Sequence, residues 1–312
     1  MASLYAQSTK NIRKTWGLML GFLVVVIGLG WFFSWYFDDQ VILYVVAGVA
    51  MVQSIISYWF SDKIVLKMAG AKEISRDTHR ELWNIVENLC ITAGLPVPKI
   101  YVISDPVPNA FATGRNPENA AMAFTTGLIA ILDRSELEGV AAHELAHIGN
   151  RDMLVMTMVV ILVGFLALLS DMFIRMHWFG GGRDNDRGGG QAQAVIMIVG
   201  LVLMLLAPLA GTLIQMAVSR KREFLADASG ALLTRYPEGL ANALRKIESY
   251  GHRNSGEMKN ASKAMAHMYI SNPFGTKARR GLKKIFMTHP PTSERISALM
   301  GGQAESENDT ER

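Results

Sequence analysis

The sequence predicts a mainly α-helical integral membrane protein, with four transmembrane helices and a mixed α+β part containing a small β element, on three observations. Half of its 312 residues are apolar and its mean hydropathy is positive, a composition that water-soluble domains of this length seldom reach. Four runs, 16–37, 40–61, 153–170 and 192–219, contain no charged side chain, and each approaches or exceeds the roughly 18 to 20 residues that cross a bilayer as a helix. Between and after the two pairs of runs lie mixed polar and apolar segments, 62–152 and 220–302, whose patterns alternate between helix and strand.

The first hairpin, 1–61, begins like a secretory leader, with Lys10, Arg13 and Lys14 before its apolar run. However, Trp31, Phe32, Phe33, Trp35, Tyr36 and Phe37 stand where small cleavage-site residues belong, so it reads as an uncleaved anchor closed by an aromatic belt. Lys63, Lys67, Lys72 and Arg76 follow the hairpin, while its tip carries Asp38 and Asp39. Positive charge stays inside, which puts the N-terminus in the cytoplasm.

In segment 62–152, residues 74–93 place Leu82, Ile85, Val86 and Leu89 at helical spacing, with a stop at Gly94 and Pro96 beyond. "KIYVIS" and "AAMAFTTG" read as short strands, and "NAFATGRNPEN" between them as an extended piece with a turn at Asn116 and Pro117. Ser135 followed by Glu138 reads as a capping box opening a helix. The second hairpin, 153–219, joins its runs through a glycine-rich "FGGGRDNDRGGGQ" that reads as flexible linker. Residues 303–312 are polar, without apolar partners, and read as a disordered tail.

The helix after Ser135 carries His143, Glu144 and His147 in the order His-Glu-x-x-His. Positions i and i+4 of a helix lie about 40° apart and about 6 Å along the axis. Both imidazoles therefore reach one zinc ion, and Glu144 stands where it takes the proton of a water at the metal. A catalytic zinc needs a third protein ligand and an open position. "SRKREFLADASGALL" offers one, because Glu223 and Asp227 share a helical face. Glu223 would bind zinc and Asp227 would accept from the far nitrogen of a histidine ligand, His143. Read locally, the same stretch also fits an amphipathic helix anchored at the membrane surface by Arg220, Lys221 and Arg222. If both segments supply one site, they lie on the same side of the bilayer, and two spans or a re-entrant pair separate them.

His143-Glu144-Leu145-Ala146-His147, Glu223-Phe224-Leu225-Ala226-Asp227, Asn109-Ala110-Phe111-Ala112 and the late "THPPTSERI" together resemble the HtpX family of membrane zinc endopeptidases, over almost the whole chain and with four apolar runs in order. The more distant CAAX prenyl proteases have more spans than this chain has room for. The resemblance implies a zincin-like catalytic part made of 62–152 and 220–302. It implies one Zn2+ per chain held by His143, His147 and Glu223, with Glu144 as the base. It gives Asn109 and the backbone of Ala110, Phe111 and Ala112 to an extended substrate by strand addition, and it sets His289 and Arg295 toward the substrate carbonyl and its oxyanion. It further implies the bacterial inner membrane, a cytoplasmic active site, polypeptide substrates drawn from damaged or misfolded membrane proteins, and a role in stress-related quality control.

Composition excludes other classes. The net charge of +4 comes from basic residues clustered at span ends, without the aromatic-basic stripe or motif of a nucleic-acid binder. A single cysteine, Cys90, rules out an internal disulfide framework and reads as a small buried apolar residue. His79, His177, His252 and His267 lack partners at ligand spacing, and the 18 methionines read as lipid-facing or core packing. A non-catalytic metal carrier is the rival reading; it would place ionisable residues inside its spans, and these spans hold none.

Overall fold

A computed structural model describes residues 2–36, 38–165, 219–253, 258–260, 265–271, 273 and 290–301. It opens on two antiparallel helices, α1 (Ala2–Tyr36) and α2 (Gln40–Ala69), packed along each other. Asp39 caps α2 by accepting a hydrogen bond from Val41 N at 2.9 Å. Both helices are long and apolar enough to cross a membrane. Their outer faces expose Leu20, Val24, Trp31 and Trp35 on α1 and Val45, Val49, Val52 and Ile55 on α2. Apolar side chains so placed suit a lipid surround.

Between α2 and the next helix the chain forms β1 (Ala71–Glu73), which the sequence did not announce. The helix expected from residue 74 begins later, as α3 (Arg80–Ala93). Ile74 N donates to Ile100 O at 2.9 Å, extending the strand pairing, and Ser75 and Thr78 then bond each other in a turn. The helix ends at Gly94 as its sequence implies. Strands β2 (Lys99–Ile103), β3 (Ala110–Gly114) and β4 (Ala120–Thr125) complete a four-stranded sheet in the order β1-β2-β4-β3. Only the β2–β4 pair is parallel. Thr125 ends β4 by capping the short helix α4 (Thr126–Ile131), so the strand is shorter than "AAMAFTTG".

The motif helix, α5 (Arg134–Gly149), starts at a capping box made by Asp133 and Glu136 rather than Ser135 and Glu138. Leu137 N already bonds to Asp133 O at 2.9 Å, so the first turn closes two residues earlier, and Ser135 donates its hydroxyl to Asp133. Helix α5 is buried almost all round. Val140, Ala141, Leu145 and Ile148 share a core with Leu82, Val86 and Leu89 of α3 and with Ile100, Met122 and Phe124 of the sheet. Its other side meets α7 (Arg220–Thr234) and α8 (Pro237–Arg253). Leu240, Leu244 and Ile247, at helical spacing, carry α8 onto this core, each contributing about 1.5–3 kcal/mol of burial. A last helix, α9 (Thr292–Leu299), packs on α7 and α8.

After α5 the chain turns through Arg151, at φ 55°, into α6 (Asp152–Phe165), bent 82° from α5. Val155, Val159 and Leu162 of α6 pack against Leu18, Phe22 and Val26 of α1 and Ala50 of α2. The third apolar run thus joins the first hairpin. Its remainder after Phe165, the glycine-rich linker, His177, the fourth run before Ser219, His289 and the tail 303–312 lie outside the described residues.

Cys90 has no exposed surface, and burial followed by the charge of Glu87 pushes its thiol up to about 11. At pH 8 almost none of it is thiolate, the reactive form. The native protein in detergent should therefore resist a thiol reagent that labels it fully once unfolded; rapid native labelling would contradict this placement of α3.

Candidate metal centre

One turn apart on α5, His143 and His147 direct their Nε2 atoms to Glu223 of α7, at 3.8 Å and 3.5 Å. One ligand atom from each of the three residues falls within a 4.8 Å cluster, and all three residues are buried. Each histidine is held from behind by a carboxylate. His143 Nδ1 lies 2.9 Å from Asp227 Oδ1, and His147 Nδ1 lies 3.1 Å from Asp152 Oδ2. With Nδ1–H donated to a carboxylate, each Nε2 lone pair faces inward, the tautomer that a metal requires.

The charges around the cluster fit a divalent cation. Glu144, Asp152, Glu223 and Asp227 are each at most 2% exposed, and the buried guanidiniums facing them are Arg222 and Arg295. With both histidines neutral, as a metal requires, the carboxylates outnumber the guanidiniums and leave a surplus of negative charge in a low-dielectric interior, where uncompensated charge is costly. Arg295 grips Asp227 with two hydrogen bonds, Nε to Oδ2 at 2.8 Å and Nη2 to Oδ1 at 2.6 Å, and its Nη1 lies 3.9 Å from Glu223. Burial works against the Asp227 carboxylate, but Arg295 outweighs it and brings the pKa down to about 2. Arg222 Nε lies 3.4 Å from Asp152; it is a buried member of this network and not the surface anchor that local reading allowed.

The two histidines differ in charge. Burial holds His143 below its usual range against the hydrogen bond and charge of Asp227, and the positive charges of Arg295 and His147 lower it further. Burial acts the same way on His147, yet the Asp152 hydrogen bond and the charge of Glu223 overcome it and raise the pKa to about 9. Burial also lifts Glu144 to about 7, against the pull of His147. The nearby backbone of Ala112 draws the Glu144 carboxyl the other way, downward, which places it next to β3.

The structure commits Asn109 and Ala110 to this chain itself. The Asn109 Nδ2 donates to Ser271 O at 2.9 Å, its Oδ1 accepts from Ser271 N at 3.1 Å, and Ala110 O accepts from Ile270 N at 3.0 Å. Phe111 packs edge-on against Tyr269, ring centroids 5.2 Å apart. Asn109 therefore lies buried under residues 269–271, and the backbone of Ala112, beside Glu144, is the part of that motif nearest the ion cluster. Arg295 likewise points at Asp227 and Glu223, where the sequence reading had it facing an oxyanion. Its neighbours explain this, since two buried carboxylates within reach outcompete any other partner.

Three further residues escaped sequence reasoning. Asp152 sits flush against an apolar run, a place where a lone carboxylate is costly, and that was its available signal. Asn11 of α1 donates its amide to Asp152 Oδ1 at 2.7 Å and to Asn150 O at 3.0 Å; nothing local marks it. Gly230, one turn beyond Asp227, lets α7 reach α5, because a Cβ there would stand 3.0 Å from His143 N and 3.2 Å from the Ala142 carbonyl carbon. His267 bonds to Met156 O at 3.1 Å and is structural.

A family model described as peptidase family M48 matches residues 76–302. A protease HtpX homolog of Tropheryma whipplei (strain Twist) is 45% identical over 305 residues, 96% of this chain and 99% of that one. One from Caldanaerobacter subterraneus subsp. tengcongensis is 42% identical over 299 residues, 95% of this chain and 97% of that one. The crystal structure of S. mikatae Ste24p overlaps 96% of this chain and 67% of its own at 18% identity, with a TM-score of 0.49.

Replacing Gly230 with valine should force α7 off α5 and misplace Glu223. Overpacking of this kind costs about 1–3 kcal/mol, so the variant should fold yet lose most of its bound metal, measured by elemental analysis; full metal content would show that the close approach is dispensable. The raised pKa of His147 sets a second expectation. Its Nε2 must shed a proton to take a metal, so affinity should climb about tenfold per pH unit from pH 6 toward 9 and level off above it. Titration of metal-stripped protein across that range, with proton release followed by buffer-dependent calorimetry, reads both.

Proposed function

The chain belongs to peptidase family M48 and is a metallopeptidase, and from that premise we propose that it is a zinc-dependent endopeptidase of the bacterial inner membrane. The observation that carries the reading is the meeting of His143, His147 and Glu223, from two segments far apart in sequence, with Glu144 held beside them. Zinc, when bound, supplies the Lewis acidity that acidifies a water and polarises a carbonyl. The two Nε2 atoms and the Glu223 carboxylate hold the ion, while Asp227 and Asp152 keep both imidazoles in the required tautomer.

Glu144 takes a proton from water and later returns it to the leaving amine. Burial lifts its pKa above the usual carboxylate range in the metal-free site, which strengthens it as a base. Arg295 serves as a positioning residue, steadying Asp227 and through it His143. His289 would meet the substrate carbonyl, a role resting on the family resemblance alone.

The site is assigned to the cytoplasm. Asn11 reaches it from the basic end of α1, where Lys10, Arg13 and Lys14 cluster, and basic residues stay inside. Substrates of this reading are misfolded or damaged membrane polypeptides, cleaved as part of stress-related quality control; the relatives named protease HtpX homolog support it.

Glu144→Gln is the direct test. The amide accepts a hydrogen bond but takes no proton, so hydrolysis of an unfolded model protein should fall about 10² to 10⁴-fold while metal content stays at the wild-type level. Wild-type turnover by the purified variant would falsify the assignment of the base.

A further inference from the structure

We infer, resting on the endopeptidase reading, that the metal centre lies at the membrane surface, beside the hydrocarbon edge, and so cuts the juxtamembrane segment of membrane-anchored polypeptides. Three contacts from separate elements place it there.

The hydrocarbon edge is marked first. From Trp16 to Tyr36 is 20 helical steps, and from Gln40 to Trp59 is 19, each about 30 Å, the thickness of a bilayer's hydrocarbon core. Trp16 stacks on Tyr58 with centroids 5.7 Å apart, and Tyr58 packs edge-on against Trp59. The two helices thus share one aromatic level, followed outward by Arg13 and Lys14 on α1 and by Asp62 and Lys63 on α2. Aromatic residues backed by charged ones mark the membrane–water interface.

The first contact runs through α1. Asn11, five residues outward from Trp16, donates to Asp152, which holds His147. Five helical steps put Asn11 at most about 7.5 Å above the aromatic level, with tilt only reducing that height. The second runs through the sheet. Arg115 sits over the Trp59 ring at 4.5 Å and donates to Trp59 O at 3.3 Å. Ala112, whose backbone lies near Glu144, is three residues away, a Cα separation of at most about 10 Å. The third is a side-chain contact between Thr113 of β3 and Thr157 of α6 at 3.0 Å. Thr157 belongs to the third apolar run, so β3 touches the chain where it enters the lipid. A helix, a strand and the entering third run thus each tie a support of the centre to the aromatic level.

A chain leaving the membrane in extended form covers about 10 Å in three residues. A peptide bond just outside a span therefore reaches Glu144, whereas a remote one must loop back, with an effective concentration that falls steeply with linker length.

The experiment uses the full-length protein in lipid nanodiscs with single-span substrates. Each carries one identical unfolded cassette, set about 4, 12 or 24 residues beyond the span. Products are mapped by mass spectrometry, and a soluble version of the cassette is offered to detergent-solubilised enzyme in parallel. The cassette at about 4 residues should be cut fastest, with rates about tenfold lower at about 24. Resistance of the nearest cassette while distant ones are cut, equal rates at all three, or no cutting of any anchored substrate beside normal cutting of the soluble one would each overturn the inference and leave the endopeptidase reading standing. If the soluble cassette also survives, the endopeptidase reading fails and this inference with it.

Discussion

Everything in this molecule is arranged around a concentration of buried charge. Glu144, Asp152, Glu223 and Asp227 meet two imidazoles and two guanidiniums where α5 and α7 touch. Stripping water from each ion costs several kcal/mol, which is recovered only by close pairing. The bidentate grip of Arg295 on Asp227, at 2.6 and 2.8 Å, is the tightest of these pairings, and removing one partner of such a pair typically costs about 3–5 kcal/mol. The excess of carboxylates over guanidiniums favours a cation at the centre, while the carboxylates behind the histidines decide which nitrogens meet it.

That constraint propagates into the packing. Helices α5 and α7 must approach closely enough for Glu223 to reach both Nε2 atoms, and the bare backbone of Gly230 permits it. Helix α9 exists in the site for one side chain, Arg295, buried to 2%. On the far side, the Ala112 backbone of β3 lies near Glu144, so the sheet's edge strand and the motif helix meet at the centre.

The same network reaches the bilayer. Asp152 is at once the support of His147, the first residue of α6 and the acceptor of Asn11 from α1. The 82° bend before it lets one continuous chain serve as metal-binding helix and membrane entry. A buried carboxylate at such a boundary is held by its partners from both sides, which couples anchoring to the shape of the centre.

Period and spacing are local properties, and where the chemistry depends on them the sequence by itself determined the outcome: the apolar lengths of α1 and α2, the stop at Gly94, the pairing of His143 with His147 on one helical face, and the i to i+4 offset that lets Glu223 and Asp227 serve the same histidine. Cap positions slipped by two residues because Asp133–Glu136 and Ser135–Glu138 carry the same local signature, and β1 went unread because Ile74 takes a partner in Ile100 that neighbouring letters do not single out. Tertiary structure alone decided that Asp152 supports His147, that Asn11 reaches it across 141 positions, that Asn109 binds Ser271 and that Arg295 faces Asp227. Each of those choices is a competition among distant partners for a buried polar group, and the winner is fixed by which surfaces the helices bury together.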